Sequence, residues 1–235
     1  MGQGHTIKGG TMILYANSDS YGVLSTGKTY VDFIQTDLNA TQAVNNGLPG
    51  SCNRRIIRTT VRDLISLKKL STDIVAIIGL TDITRSEYWG KTAISNDGHF
   101  ESFQPNSVVP AEAKRLQQGH IETYDDEASN TNLFLDIIML TAFFKNNNIK
   151  YLIWQGAQTL KPSDFTAPFI NSLHDQVQLD TGVLDMFDFS FSKYCSIIKG
   201  YTPYDSKQYG IYGHHCEEAH RDFASHLLEN YLNEI

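Results

Sequence analysis

A three-layer α/β/α sandwich with a mostly parallel sheet of roughly five strands is the fold class this sequence predicts, and three observations carry it. Apolar β-type runs alternate with segments whose apolar residues recur at helical spacing. One run, DIVAIIG over Asp73–Gly79, is continuous and rich in β-branched residues, as a strand buried on both faces must be. Each strand-like run ends in a polar or glycine-rich turn and is followed by helix, the order that right-handed parallel crossovers require.

Taken in order, Met12, Ile13, Leu14 and Tyr15 form the first strand and stop at Asn17, Ser18, Asp19, Ser20 and Gly22. That is an apolar run meeting a turn dense in hydroxyl and carboxylate groups. Thr29–Leu38 reads as helix, with Tyr30, Phe33, Ile34 and Leu38 on one side, and Ala40–Asn45 as a short second strand. The Gly- and Pro-rich turn Asn46–Asn53 leads into a helix over Arg55–Leu70 with an apolar face of Ile56, Ile57, Val61, Leu64 and Ile65. Asp73–Gly79 is the third strand. From Leu80 to Ser129 only Ala111–Gln118 looks helical, so a lid-like excursion over one end of the sheet, about 85–129, is expected. Leu133–Lys145 is apolar nearly all round and reads as a buried helix, followed by a fourth strand at Tyr151–Trp154. Asp164–Tyr194 holds pieces of helix, and Cys195–Ile198 is the fifth strand expected. Ala219, Phe223, Ala224, Leu227, Leu228, Tyr231 and Leu232 make the stripe of a terminal helix with Glu217 and Glu218 in its first turn.

With 41% hydrophobic residues in 235, the chain can bury one substantial core, and a single domain over 11–235 is expected. Residues 1–10 read as a loose tail or an added remnant, with Met12 the original start. A net charge of -7, with Lys and Arg scattered singly, argues against a nucleic-acid or membrane-surface partner. No apolar run is long enough to span a bilayer and no export signal precedes Met12, so a soluble, cytoplasmic protein is expected. Cys52, Cys195 and Cys216 are odd in number and suit free thiols in a reducing compartment. No cofactor is expected, and no metal: His214, His215, Cys216 and His220 cluster, but without an HExxH or paired CxxC spacing.

Three loops follow strands that run the same way, so their tips converge on one sheet edge. The first carries Asp19 and Ser20, the second Gly50 to Asn53, the third Thr81, Asp82 and Arg85; Gly213–Glu217 is a fourth candidate. A hydroxyl, free backbone amides and an imidazole brought together are the parts of an acyl-transfer site. The same Ser- and Asp-rich residues also make plain turns. Arg85 with Glu87 either meets an acidic or carbohydrate substrate or staples the third loop. Tyr88, Trp89, Phe100 and Phe103 either stack on sugar rings or cover the sheet end.

Four blocks carry a resemblance: NSDSYG (Asn17–Gly22), NNGLPGSCNRRI (Asn45–Ile56), GLTDITRSE (Gly79–Glu87) and YGHHCEEAHRDFASHL (Tyr212–Leu227). In this order they resemble the SGNH (GDSL-like) hydrolase superfamily, most of all its small divergent phage and bacterial members; the middle, about Gly90 to Asp205, matches only as alternating helix and strand. The resemblance implies a flavodoxin-like layered fold and a serine ester hydrolase acting on a small-molecule or glycan ester. It implies Ser20 as nucleophile, His214 as base, and the Ser20 and Gly50 amides with the Thr81 hydroxyl as oxyanion donors. Asp19, Asn53, Arg85 and His215 are the expected substrate-binding residues. The acid that normally stands two or three residues before the base falls at Tyr212 or Ile211, neither an anion. Asp205 or Asp19 is the candidate substitute, Asp205 the expected one because Asp19 would cap its own loop, with a Ser-His dyad held by a main-chain carbonyl or a non-catalytic binding module as the alternatives; transfer of the acyl group to another hydroxyl would use the same residues.

Overall fold

The computed structural model describes residues 11–23, 27–89, 100–103, 109, 111–156, 160, 167–201 and 215–232; side chains of Trp89, 100–103 and Glu112 are outside the description. Six strands occur among the described residues: β1 (Ile13–Asn17), β2 (Gln42–Asn45), β3 (Ile74–Leu80), β4 (Ser86–Trp89), β5 (Phe100–Phe103) and β6 (Lys150–Gln155). The helices are α1 (Tyr30–Asp37), α2 (Asn53–Leu67), α3 (Ala111–Thr123), α4 (Asp126–Asn146), α5 (Pro168–Gln178), α6 (Phe191–Lys193) and α7 (Glu217–Leu227).

Four strands form a parallel sheet in the order β2-β1-β3-β6, and β4 pairs with β5 as a separate antiparallel hairpin. Alternating side chains bury both faces of the sheet, as the period of two requires. Ile13, Tyr15, Ala76, Ile78, Tyr151 and Ile153 face α2, α4 and α5. Leu14, Ala16, Val75, Ile77, Leu152 and Trp154 face α1 and α7. Three layers result, and the chain order reverses direction across the sheet between β1 and β3. The carboxyl ends of those two strands are the usual ligand position in this architecture. No helix among the described residues is long and apolar enough to cross a membrane.

Several elements differ from expectation. The sheet has four strands rather than five: Cys195–Ile198 lies in a π-helical turn, Tyr194–Ile198, with Ile197 and Ile198 exposed. A fifth-strand position beside β6 is occupied only by isolated parallel bridges, Ile153 to Val183 and Gln155 to Ser190. Between those bridges the Asp185 carboxylate accepts from the Phe187 and Asp188 amides, at 2.8 and 3.2 Å, and the turn it closes interrupts the pairing. Helix α4 begins at Asp126, seven residues before Leu133, because Asp125 caps it by accepting from the Ala128 amide at 2.7 Å. It is not buried all round: Leu135 and Met139 are exposed. The excursion holds the β4–β5 hairpin, and an Arg58–Glu87 ion pair at 2.8 Å ties β4 to α2.

One half-buried histidine is expected to make the fold sensitive to acid. His174 on α5 packs against Phe187, ring centroids 3.9 Å apart, and against Phe134 at 5.6 Å. Burial pushes its pKa below the ordinary value and outweighs the pull of Asp175 and Asp185. The unfolded chain therefore binds this proton more readily, so stability is full above pH ~6.5 and is lost as pH falls below it. We expect the melting temperature to drop between pH 7.5 and 5.5, and His174→Phe to flatten that slope; an unchanged slope would clear His174 of the effect.

Candidate active site

The site is built from the end of β1. Asn17, fully buried, donates from Nδ2 to the Ile56 carbonyl at 2.9 Å and to the Thr59 hydroxyl at 2.8 Å, so the last residue of the strand is tied to α2. The chain then turns sharply. Asp19 Oδ1 accepts from the Tyr21 amide at 3.0 Å and starts a single 3-10 turn, Ser20–Gly22. Ser20 opens that turn and is 8% exposed. A side chain at Gly22 would overlap Ser18 Oγ, so the tightness of the turn needs glycine.

The second loop is pinned to the first at two points. The Leu48 amide donates to the Ser18 carbonyl at 3.1 Å, and Asn45 Nδ2 to the Gly22 carbonyl at 2.8 Å. Gly50 has a φ of 80°, in the left-handed region, with open space where a Cβ would stand. Next to it Ser51 is a junction: its hydroxyl donates to the Leu48 carbonyl at 2.7 Å and accepts from buried Arg55 at 3.1 Å.

The third loop closes the arrangement. Asn53 spends both ends of its amide on the Thr81 main chain, accepting from its N–H at 2.7 Å and donating to its carbonyl at 3.0 Å. Thr81 Oγ1 donates to Asp19 Oδ2 at 2.7 Å, so the hydroxyl expected at the oxyanion is committed to that carboxylate. Arg85 Nη1 donates to the same Oδ2 at 3.0 Å and to the Ser51 carbonyl at 3.2 Å. The structure thus brings Asp19, Ser20, Gly50, Asn53, Thr81 and Arg85 together. Asn53 and Arg85 also line a cavity of about 340 Å³ with Arg54, His120, Tyr124 and Asp136. Burial raises the Asp136 pKa, and Arg54 opposes that shift.

The segment ahead of α7 reaches the same edge through one ring. Tyr21 packs on Phe191 with centroids 5.6 Å apart, and His215 meets the same Phe191 ring at 5.6 Å, edge-on. His215 is 1% exposed, with Nε2 3.4 Å from Ser196 Oγ. Cys216 caps α7, and Glu217 accepts from the Lys28 amide at 3.1 Å, which fastens the helix start to the loop after Ser20. His220 takes the Tyr30 amide on Nδ1 at 3.3 Å and stacks on the Tyr30 ring. His214 and Asp205 lie outside the described residues, as do the side chains of Trp89, Phe100 and Phe103. Burial, with Asp19 adding to it, pushes the Tyr21 phenol up, so it stays a neutral neighbour of Ser20.

Two contributors escape a reading of the sequence. Gly156, after β6, donates to the Leu80 carbonyl at 2.6 Å, and a Cβ there would stand 2.8 Å from that oxygen and 3.3 Å from the Tyr21 ring. Arg55 braces the glycine loop from inside. A glycine ending a strand run was the available signal for the first; the second had none, because arginine in a first helical turn ordinarily reads as solvent-facing.

No family model matches this chain, and no curated protein matches it. Solved structures do. One is a member of the lipolytic G-D-S-L family from Veillonella parvula, 12% identical, covering 94% of this chain and 98% of its own, with a TM-score of 0.45. TesA is 12% identical over 92% of this chain and 96% of its own, at a TM-score of 0.48. An acetylxylan esterase from Geobacillus stearothermophilus is 14% identical over 93% of both chains, at 0.45. These are proteins the chain is similar to; its fold and chemistry are read from its own residues.

Proposed function

We propose that the chain is a serine ester hydrolase of SGNH type, acting on a small polar or carbohydrate O-acyl ester such as an acetyl group. The observation that supports this most is the pinning of three loops around Ser20, which sits on a tight turn at the carboxyl end of β1 where the sheet order reverses. In this reading Ser20 Oγ attacks the acyl carbon while His214 takes its proton and returns it to the departing alcohol oxygen. The Ser20 and Gly50 amides hold the developing oxyanion. Water then cleaves the acyl-serine, with His214 again accepting and returning a proton. Asp205 orients the imidazole in the triad form of this reading. Residues 11–235 act as one domain, with 85–129 as its lid.

The test is covalent labelling by a fluorophosphonate, in which the Ser20 oxygen displaces fluoride from phosphorus. We expect wild type to be labelled, and neither Ser20→Ala nor His214→Ala to be. Loss of aryl acetate hydrolysis in those two variants but not in Asp205→Asn would define a dyad. Labelling and hydrolysis equal in wild type and Ser20→Ala would favour a glycan-binding module instead.

Gly50 gives a second measurement. Alanine fits the space but not the backbone, at about 1–2 kcal/mol for a left-handed residue with a Cβ. If the loop relieves that strain by turning its amide, the cost in turnover is about 10²-fold, as for the loss of one oxyanion donor. Urea midpoints and aryl acetate hydrolysis of Gly50→Ala report the two effects separately; unchanged turnover would remove Gly50 from the oxyanion site.

A further inference from the structure

We propose that Arg85 is a positioning residue, which locks the nucleophile turn to the glycine loop and neutralises the carboxylate preceding the nucleophile; this rests on the hydrolase reading of Ser20. Asp19 is 0% exposed and directly precedes Ser20. Its Oδ1 starts the Ser20–Gly22 turn by accepting from the Tyr21 amide, and its Oδ2 takes the Thr81 hydroxyl at 2.7 Å and Arg85 Nη1 at 3.0 Å. The same Nη1 also donates to the carbonyl of Ser51, the residue after Gly50, at 3.2 Å. One guanidinium nitrogen therefore spans the two loops that carry the nucleophile and an oxyanion amide.

The arginine is itself held in place. Its amide donates to the Asp82 carbonyl at 3.3 Å, β4 begins at the next residue, and its side chain is 15% exposed. Charge gives the arrangement its chemical sense. An uncompensated buried carboxylate one residue from the nucleophile opposes both the ionised serine oxygen and the oxyanion that follows, because like charges repel strongly in a poorly screened site. Arg85 cancels that charge and, through Ser51, fixes the loop whose amide must point at the oxyanion. This places Asp19 and Arg85 in the scaffold of the reaction, with substrate contact not required of either.

The experiment is a double-mutant cycle on the full chain, read by fluorophosphonate labelling rate and by kcat and KM for an aryl acetate. We expect Arg85→Met to lower kcat about 10²-fold with KM changed less than about 3-fold, and Arg85→Lys, which keeps the charge, to retain more activity. In an Asp19→Asn background, Arg85→Met is expected to cost less than about tenfold, since there is no charge left to cancel. Should Arg85→Met fail to fold, the comparison of Asp19→Asn with Asp19→Asn/Arg85→Met still decides, because Arg85→Met in that background leaves no buried carboxylate unpaired. An equal loss in both backgrounds, or a rise in KM at constant kcat, overturns the positioning role while leaving the hydrolase reading intact. Wild type and Ser20→Ala labelled alike would overturn the hydrolase reading itself.

Discussion

Replacing Ser20 with alanine is expected to reduce hydrolysis of a short-chain aryl acetate by about three orders of magnitude or more, as the loss of a nucleophile does elsewhere. The fold is expected to survive the change. The Ser20–Gly22 turn is started by Asp19 through the Tyr21 amide, and the loop is held by Leu48 to Ser18 and Asn45 to Gly22 contacts, none of which uses the Ser20 hydroxyl. Ser20 is 8% exposed, so its removal leaves at most a small void at the surface end of the site. A melting temperature within a few degrees of wild type, together with lost turnover and lost fluorophosphonate labelling, is therefore the expected pattern. Residual hydrolysis above the uncatalysed rate would come from oxyanion stabilisation alone. Rates agreeing within about threefold would show that the turn is a structural feature with no nucleophile in it.

The parts of the fold legible in the sequence are those whose physics is local. Strands β1, β3 and β6 are buried on both faces, so their residues form continuous apolar runs that no other element imitates at that length. The terminal helix is legible for the same reason, through its stripe. The fifth strand was misplaced because Cys195–Ile198 has strand composition, whereas the real neighbour of β6, Val183 to Ser190, is interrupted by the Asp185 turn and shows no alternation. Strands β4 and β5 are only four residues each, too short to carry a firm period-of-two signal.

The candidate site divides in the same way. That the three loops share an edge follows from strand order, and the contacts among them bear it out. What each side chain does there was not legible. Asn53 reads as a polar loop residue and is a two-ended clamp on the Thr81 backbone. Arg85 was weighed as a partner of Glu87, yet it reaches Asp19 across 66 positions of sequence, and Glu87 takes Arg58. Thr81 was expected to face the oxyanion, and its hydroxyl donates a hydrogen bond to Asp19. Each of these is a long-range pairing of buried polar groups, and such pairings are fixed by what must be satisfied in the folded interior rather than by neighbours in the chain.

Trp154→Ala is expected to cost about 3–5 kcal/mol, a large part of the 5–15 kcal/mol typical of a whole domain, and to slow Ser20 labelling in the fraction that stays folded. Trp154 is 1% exposed near the end of β6, edge-on to Tyr30 at 5.3 Å and to Phe223 at 5.6 Å, which joins the sheet to α1 and α7. It also supports the nucleophile turn. A Cβ on Gly79, its partner on β3, would stand 3.1 Å from Trp154 Cζ2 and 3.0 Å from Ser18 Cβ, closer than side chains ordinarily pack. The indole, Gly79 and Ser18 are therefore stacked in one close-packed column, with Tyr30 beside it. Truncating the indole opens a cavity beneath Ser18 that neighbouring rings can fill only by moving, and the turn carrying Asp19 and Ser20 rests on that column. Trp154→Phe keeps part of the volume and should recover a substantial share of both stability and labelling rate. The urea midpoint of each variant, with labelling measured well below that midpoint, separates the two effects. If Trp154→Ala lost stability but labelled Ser20 at the wild-type rate, the turn would be held by its loop contacts alone and the column would contribute only to folding.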